Sequence, residues 1–564
     1  MLKDKSNAIL NAMENYKENN RIFTIYKVSW DRIWISFFIK DVPADAIVTI
    51  TSINDGPSFD LKKGEASDEF MLNITNPGDC KMLPTGIYKL VIHSDSFSDN
   101  SSASSNIYVK ELHLDNSINT RIIARQFIYF HNERAYRVQF SSKNGFKIKT
   151  SDIELPGLSS RQKLTSLLRR SRHNLAKAIL RTIYNTEYLL FHRKGTKDIH
   201  KVKNPNILLM SDQSEEMGSN MAAFKEALIR EGFKPHESLR AITTKHYSIS
   251  HWILTLKKIA AADFIFLDDH SQTTDWLTIR GAIITQLWHA GAGFKSTGYS
   301  RFGMPASPAP KSGHRQYTYG VAGSKKIRHF FSEVWGINDE QVLPAGMPRL
   351  DEFLDEDYIK TTKIDLLKNY QILCKPECEE NSLKKRNNII LFAPTYRGEN
   401  KRTAYFPYDK LNMDKIYKLC QDIDAVFLFK MHPFVEEKVP IPEKYSDRLA
   451  DFTAYPNIND LFYVTDLLIT DYSSSIYEFS LMKKPMLFYA FDIDQYTKER
   501  GFHRDYRENV PGKIVETFDD MLTAIRSSDY EFPKVEKYLE NNFDHIDTHA
   551  SERIIDWVIR GKAY

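Results

Sequence analysis

The stretch DLLITDYSSSIYEF, Asp466 to Phe479, decides the architecture. A compact apolar run from Leu467 ends at Thr470–Asp471, and three serines (Ser473, Ser474, Ser475) separate it from a segment of helical character. A short unbroken apolar run reads as a strand buried on both faces, and a strand passing directly into a helix is half of a parallel βα unit. The first N–H groups of a helix lack partners and carry partial positive charge, so the serine turn reads as a phosphate cradle without a Gly-rich loop. Glu478, about a turn further on, is placed to accept from a ribose hydroxyl.

The same grammar extends outward. NIILFAPTYRG (388–398), AVFLFKMHP (425–433) and PMLFYAFD (485–492) are further strands of one series. NILLMSD (206–212), ADFIFLDD (262–269) and AIITQLWHAG (282–291) form another, with the helical MAAFKEALIREG between the first two. The charged segment CKPECEENSLKKRNN (374–388) lies between the series. The expectation is an α/β chain with two doubly wound Rossmann-type domains facing each other, residues 204–380 and 381–564, the latter closing with a C-terminal helix.

The N-terminal part has a different period. Residues 22 to about 150 contain short β-branched and aromatic runs, among them IFTIYKVSW, RIWISFFIK, AIVTITSI and AYRVQFSS, separated by turn formers such as NDGPS and NPGD. About seven strands in a β-sandwich are expected over residues 1–155. No His, Asp, Glu or Ser spacing there suits chemistry, which leaves binding, spacing or partner contact. Residues 156–203 read as a basic helical linker: between Arg161 and Lys203 twelve Lys/Arg face only Glu187 and Asp198. Leu164, Leu168, Leu175, Ile179 and Ile183 share one helical face. Such a helix either lies in an anionic membrane interface or docks on the core with a solvated charged face.

Composition narrows the class. The 564 residues are 42% hydrophobic and 27% charged, which excludes fibrous and wholly disordered chains. Lys+Arg 77 against Asp+Glu 73 gives +4, too balanced to argue for nucleic acid. No apolar run reaches the roughly 18 residues of a membrane span, and the start, MLKDKSNAILNAMENYKENN, lacks the apolar stretch of a signal peptide, so a cytoplasmic protein is expected. Four cysteines are too few for a disulfide framework, and Cys374-x3-Cys378 has no second ligand pair.

Ligands of open α/β sheets bind beyond the carboxyl ends of the strands, so the strand-end residues carry the chemistry. In WHAGAGFK (288–295), His289 leaves a strand into a turn where Gly291 and Gly293 free backbone N–H groups for an anion, followed by Lys295 and Arg301. Thr395 and Arg397 follow a second strand, and His432 ends a third just before Pro433. Guanidinium and imidazolium both suit phosphate oxygens. Asp268 and Asp269 are candidates for Mg²⁺, though an acidic pair after a strand more often serves a loop or N-cap. No resident metal or cofactor is required by this reading, with a divalent cation left open.

Taken together, WHAGAGFK, SRFG, GMPRLD, FAPTYRG, FKMHP, TDYSSSIYEF, KKPMLFYAFD and VPG resemble the CDP-glycerol:poly(glycerophosphate) transferase family, the polymerases and primases of wall teichoic acid, over residues 200–545. That resemblance implies a GT-B-like domain pair, which transfers a polyol phosphate from a CDP-activated donor to the terminal hydroxyl of a lipid-linked polyol-phosphate chain and releases CMP. It implies His289 as general base, His432 as a second essential histidine, Ser473 and Ser474 on the diphosphate, and Thr395 and Arg397 in the donor loop. It also implies a peripheral protein on the cytoplasmic face of the membrane, where an undecaprenyl-linked acceptor resides. Family members often read WHGTPLK or WHAVGAFK where this chain has WHAGAGFK. Overall length and that form favour CDP-ribitol over CDP-glycerol. A sugar-nucleotide glycosyltransferase and a non-catalytic scaffold are the alternatives, and homo-oligomerisation is left open.

Overall fold

The computed structural model describes residues 23–94, 109–129, 133–143, 145–155, 160–192, 198–304, 307–375, 386–398 and 401–564; the side chains of 109–111 and 160–173 are outside the description, as are Cys378 and most of the charged segment that contains it.

Eleven strands, β1 (Phe23–Asp31) through β11 (Lys147–Glu154), build the N-terminal region. Each of the seven expected runs contributes one. Ser58–Asp60, Lys62–Lys63, Glu69–Asn73 and β11 are additional, and their short or mostly polar sequences carry little strand signal. β11 reads KIKTSDIE, yet pairs with its antiparallel neighbour over eight residues. Nine of the strands hydrogen-bond along one continuous path, Ile47–Ser52 and Ser58–Asp60 branch from it, and together they enclose a single apolar core. That core also takes in Tyr299 and Phe302 from the following α/β region. The Phe302 ring stacks on Phe127 at 5.6 Å and lies 5.7 Å from Tyr129.

Helix α1 (Ser160–Phe191) joins the two regions. Its inward face differs from the one expected. Leu180, Ile183, Tyr184 and Tyr188 pack on the α/β core, whereas Leu175 and Ile179 are 64% and 54% exposed. Tyr184, wholly buried, accepts from the Arg280 backbone N–H through its hydroxyl (2.8 Å), and this aromatic anchor sets the rotation of the helix. The side chains of Leu164 and Leu168 lie outside the described residues.

Two six-stranded parallel sheets follow. In the first the order is β13 (His236–Leu239), β12 (Ile207–Ser211), β14 (Phe264–Leu267), β15 (Ile283–Gln286), β16 (Tyr319–Val321), β17 (Val342–Leu343). In the second it is β20 (Leu449–Asp451), β19 (Ala425–Phe429), β18 (Asn388–Phe392), β21 (Leu467–Thr470), β22 (Met486–Tyr489), β23 (Lys513–Val515). The central strands are buried along their lengths, as continuous apolar runs require. The second sheet reverses direction between β18 and β21, and the crevice at such a reversal is where open sheets bind ligands.

One boundary shifts. The C-terminal helix, counted from sequence with the second α/β domain, packs on the first: Ile554, Ile555, Val558 and Ile559 share a core with Ile207, Leu209 and Phe224. Asp351 fixes its start by accepting from the N–H groups of Ala550 (2.7 Å) and Ser551 (2.9 Å).

Phe302→Ala removes the ring that seats one region in the other. A loss of about 3–5 kcal/mol in urea-unfolding stability is expected, as for other buried Phe truncations.

Candidate active site

Three strand ends of the second domain converge on one crevice. Phe392 of β18 pairs with Ile469 of β21 and with Phe429 of β19, which sets the 393–397 loop, the serine turn and His432 side by side. The Asp471 carboxylate accepts from the Thr395 N–H at 2.7 Å and locks the first two of these together. Arg397 is tied into the same frame. It makes a bidentate pair with Asp492 (2.6 and 2.9 Å), lies 2.9 Å from Asp471 and is almost buried. The flanking carboxylates hold its proton more tightly than usual, although burial opposes them. The sequence reading placed this guanidinium on phosphate; both of its edges are instead occupied by carboxylates of its own domain.

His432 is better placed for a ligand. Its Nδ1 accepts from the Phe434 N–H at 3.1 Å, which assigns the proton to Nε2 and makes that nitrogen a donor. Burial, then the nearby Lys295 and Lys430 ammoniums, push its pKa below the usual histidine value and keep the ring neutral. The ring lines a cavity of about 400 Å³ shared with Arg349, Lys430 and all three serines. The Ser473 and Ser475 hydroxyls are 2.8 Å apart at the start of the helix Ile476–Leu481.

Glu478 also faces this cavity, but it is not free for a ribose. Arg349, from the GMPRLD segment of the first domain, donates to its Oε1 through Nε at 2.8 Å and again through Nη2. The same guanidinium reaches the His289 carbonyl through Nη1 at 2.8 Å. One largely shielded cation therefore joins the serine helix of the second domain to the histidine turn of the first.

That turn is strained. Trp288 has φ +58°, a left-handed conformation that costs a bulky residue about 1–2 kcal/mol. It is over-determined by its partners: Gln286 Oε1 accepts from its N–H at 2.9 Å, and buried Asn220 donates to its carbonyl at 2.7 Å. The strain turns His289 outward, stacked on the Trp288 indole with ring centroids 4.7 Å apart. His289 Nδ1 lies 3.5 Å from the Asp268 carbonyl and 3.7 Å from the Asp269 carboxylate. Both are acceptors, so the proton sits on Nδ1 and the Nε2 lone pair is available to accept another. Gly291 has a steric role, since a Cβ there would meet the Tyr477 ring at 2.4 Å; Gly293 takes φ +59°.

His289 borders a second cavity, about 420 Å³, whose walls come from both domains. Lys295, Arg301 and Arg500 line it, and none has a carboxylate within ion-pairing distance among the described residues. Burial pushes the Lys295 ammonium down to about 8, opposed by Asp471 and reinforced by Arg500 and Arg397. The Arg301 Nε and the Thr395 and Ser296 hydroxyls are buried without partners. Ser473 and Ser474 line this cavity as well as the first. Among the described residues no group of three His, Cys, Asp or Glu side chains is arranged to hold a metal.

The residues sequence reading missed are those that act at a distance. Asn220, Asp269 as a partner of His289, Arg349 and Arg500 sit in helices and loops whose relation to the strand ends is tertiary. Only the GMPRLD segment carried a signal.

A crevice at the sheet reversal, two strand-end histidines and a serine turn facing unpaired cations define a phosphoryl-transfer type of site. Residues 194–560 match the model of the CDP-glycerol:poly(glycerophosphate) glycerophosphotransferase family, and the chain belongs to that family. It is 32% identical to the teichoic acid poly(ribitol-phosphate) polymerase of Bacillus spizizenii, over 92% of this chain and 81% of that one. It is 34% identical to the ribitol-phosphate polymerase TarL of Staphylococcus aureus, over 70% and 68%. A variant of the wall teichoic acid polymerase TagF has a similar fold, with a TM-score of 0.50 at 19% identity over 69% of this chain and 96% of that one.

Arg349→Met leaves Glu478 buried and unpaired. About 3–5 kcal/mol of stability is expected to be lost, with partial recovery in Arg349→Met/Glu478→Met, both read by chemical unfolding.

Proposed function

We propose that the protein is a teichoic acid polymerase that transfers ribitol phosphate from CDP-ribitol to the terminal hydroxyl of a lipid-linked polyol-phosphate chain, releasing CMP. The observation that carries this reading is the pair Ser473 and Ser474, which line both cavities and so support a donor phosphorus in one meeting an acceptor hydroxyl from the other. The names of the relatives aligned over most of the chain favour ribitol. The two α/β domains act as a GT-B-like pair, with the β-rich region as an accessory sandwich.

The donor occupies the His432 cavity, its diphosphate on the serine turn. The acceptor occupies the His289 cavity, where Lys295, Arg301 and Arg500 match the charge of a phosphodiester chain. The acceptor hydroxyl attacks the β-phosphorus, an O–P bond forms, and the bond from that phosphorus to the bridging oxygen of CMP breaks. His289 Nε2 takes the hydroxyl proton. His432 Nε2–H and the Ser473–Ser475 hydroxyls stabilise the charge on the departing CMP. Arg397 acts through Asp471 and Asp492 to hold the loops, and Thr395, its hydroxyl buried without a partner, lines the His289 cavity. The chemistry needs no resident cofactor; a divalent cation would assist by screening the diphosphate.

No helix among the described residues is long and apolar enough to cross a membrane. The exposed Leu175 and Ile179 on the basic helix α1 support a peripheral seat on an anionic membrane surface at the cytoplasmic face, within reach of an undecaprenyl-linked acceptor.

CMP release is the test. With a lipid-linked glycerol-phosphate primer, turnover of CDP-ribitol and not CDP-glycerol is expected; the reverse preference makes the protein a glycerophosphotransferase, and turnover of neither overturns the reading. His289→Ala should lower kcat about 10²- to 10⁴-fold, the range for a lost general base, while donor binding by calorimetry stays near wild type. The Lys295 pKa, lowered to about 8, gives a signed pH effect. Below it the ammonium is charged and holds the acceptor phosphate, so the acceptor KM should rise as pH passes upward through about 8, and Lys295→Met should abolish that dependence.

A further inference from the structure

The β-rich region grips the wall of the His289 cavity at two separate points. The first is Phe302, whose ring is buried in the β core beside Arg301, a residue of the cavity wall. The second is Glu333, buried between three parts of the chain. Arg32 of the β region pairs with it, Trp34 Nε1 donates to its Oε2 at 2.7 Å, and His503 of the second α/β domain lies with Nδ1 3.8 Å from its Oε1. Glu333 stands in the helix Arg328–Trp335, next to Val334, and Val334, Phe331 and His503 all line the cavity. His503 in turn donates through Nε2 to the Gly293 carbonyl of the histidine loop (2.5 Å) and through its backbone N–H to the Phe294 carbonyl (3.0 Å).

Arg32 is held in an unfavourable conformation to do this. It sits in a two-residue turn between β1 and the strand Trp34–Ile39, with Asp31 opposite Trp34, at φ +49°. A residue with a large side chain persists in that region only where its surroundings over-determine it, and a glycine would satisfy the turn alone without strain.

We propose that the β-rich region is a positioning part of the acceptor site: Arg32 and Trp34, through Glu333 and His503, fix the loop Ala292–Ser296 and thereby set the affinity for the acceptor chain. The assignment of this cavity to the acceptor rests on the function proposed above. The mechanical coupling does not.

The test uses the intact chain with Arg32→Gly, which relaxes the turn and removes the guanidinium, and Trp34→Phe, which removes the N–H donor while keeping an aromatic ring. Both should raise the acceptor KM about tenfold or more, the scale of a small misplacement of a reacting group, with the donor KM unchanged. Arg32→Lys should restore part of the loss, and Arg134→Ala, at a pair with Asp152 elsewhere in the β region, should have no effect. Hydrogen–deuterium exchange of residues 292–303 should accelerate in Arg32→Gly and Trp34→Phe. A folded Arg32→Gly protein with wild-type acceptor KM and wild-type exchange in that segment overturns the proposal. If the wild-type protein turns over neither CDP-polyol, the functional reading fails, and the exchange measurement alone then decides the coupling.

Discussion

The contact on which the site depends is the largely shielded guanidinium of Arg349, shared between the buried Glu478 carboxylate and the His289 carbonyl. A buried carboxylate such as Glu478 is stable only when its charge is paired, and the cation that pairs it also bonds a carbonyl of the other domain. The requirement to satisfy one side chain therefore sets the separation of the histidine turn and the serine helix. The clasp of Gly501 and His503 on the 294–296 loop adds backbone hydrogen bonds that hold the same registration.

Charge is partitioned within it. Arg397 is neutralised by two carboxylates and serves as a strut, whereas Lys295, Arg301 and Arg500 face their cavity uncompensated. Identical side-chain types thus do opposite work according to whether a carboxylate lies nearby. The uncompensated group costs stability in the empty protein, and that deficit is returned when an anion enters, which favours a polyanionic ligand over a neutral one.

Much of this was legible in the sequence wherever the signal was local. The buried parallel strands announced themselves as apolar runs, and the placement of His289, His432 and Ser473–Ser475 beside the cavities was legible because a strand end is a sequence position as much as a spatial one. The rest depended on separation. Arg349 and Glu478 are 129 residues apart, and nothing in either neighbourhood reports the other. Arg397 was read as a ligand because its two carboxylate partners arrive from Asp471 and Asp492 only after folding. The rotation of α1 was misjudged because leucine spacing alone cannot weigh Leu175 and Ile179 against a tyrosine that finds a hydrogen-bond partner in the core.

The return of the C-terminal helix to the first α/β domain bears on how the chain is made. Ile554, Ile555, Val558 and Ile559 complete a core whose other members, Ile207, Leu209 and Phe224, are translated some hundreds of residues earlier. Until the 550–559 segment has been made, that domain carries an open apolar face. Synthesis is then a period of exposure for the first domain, which docking of that segment closes.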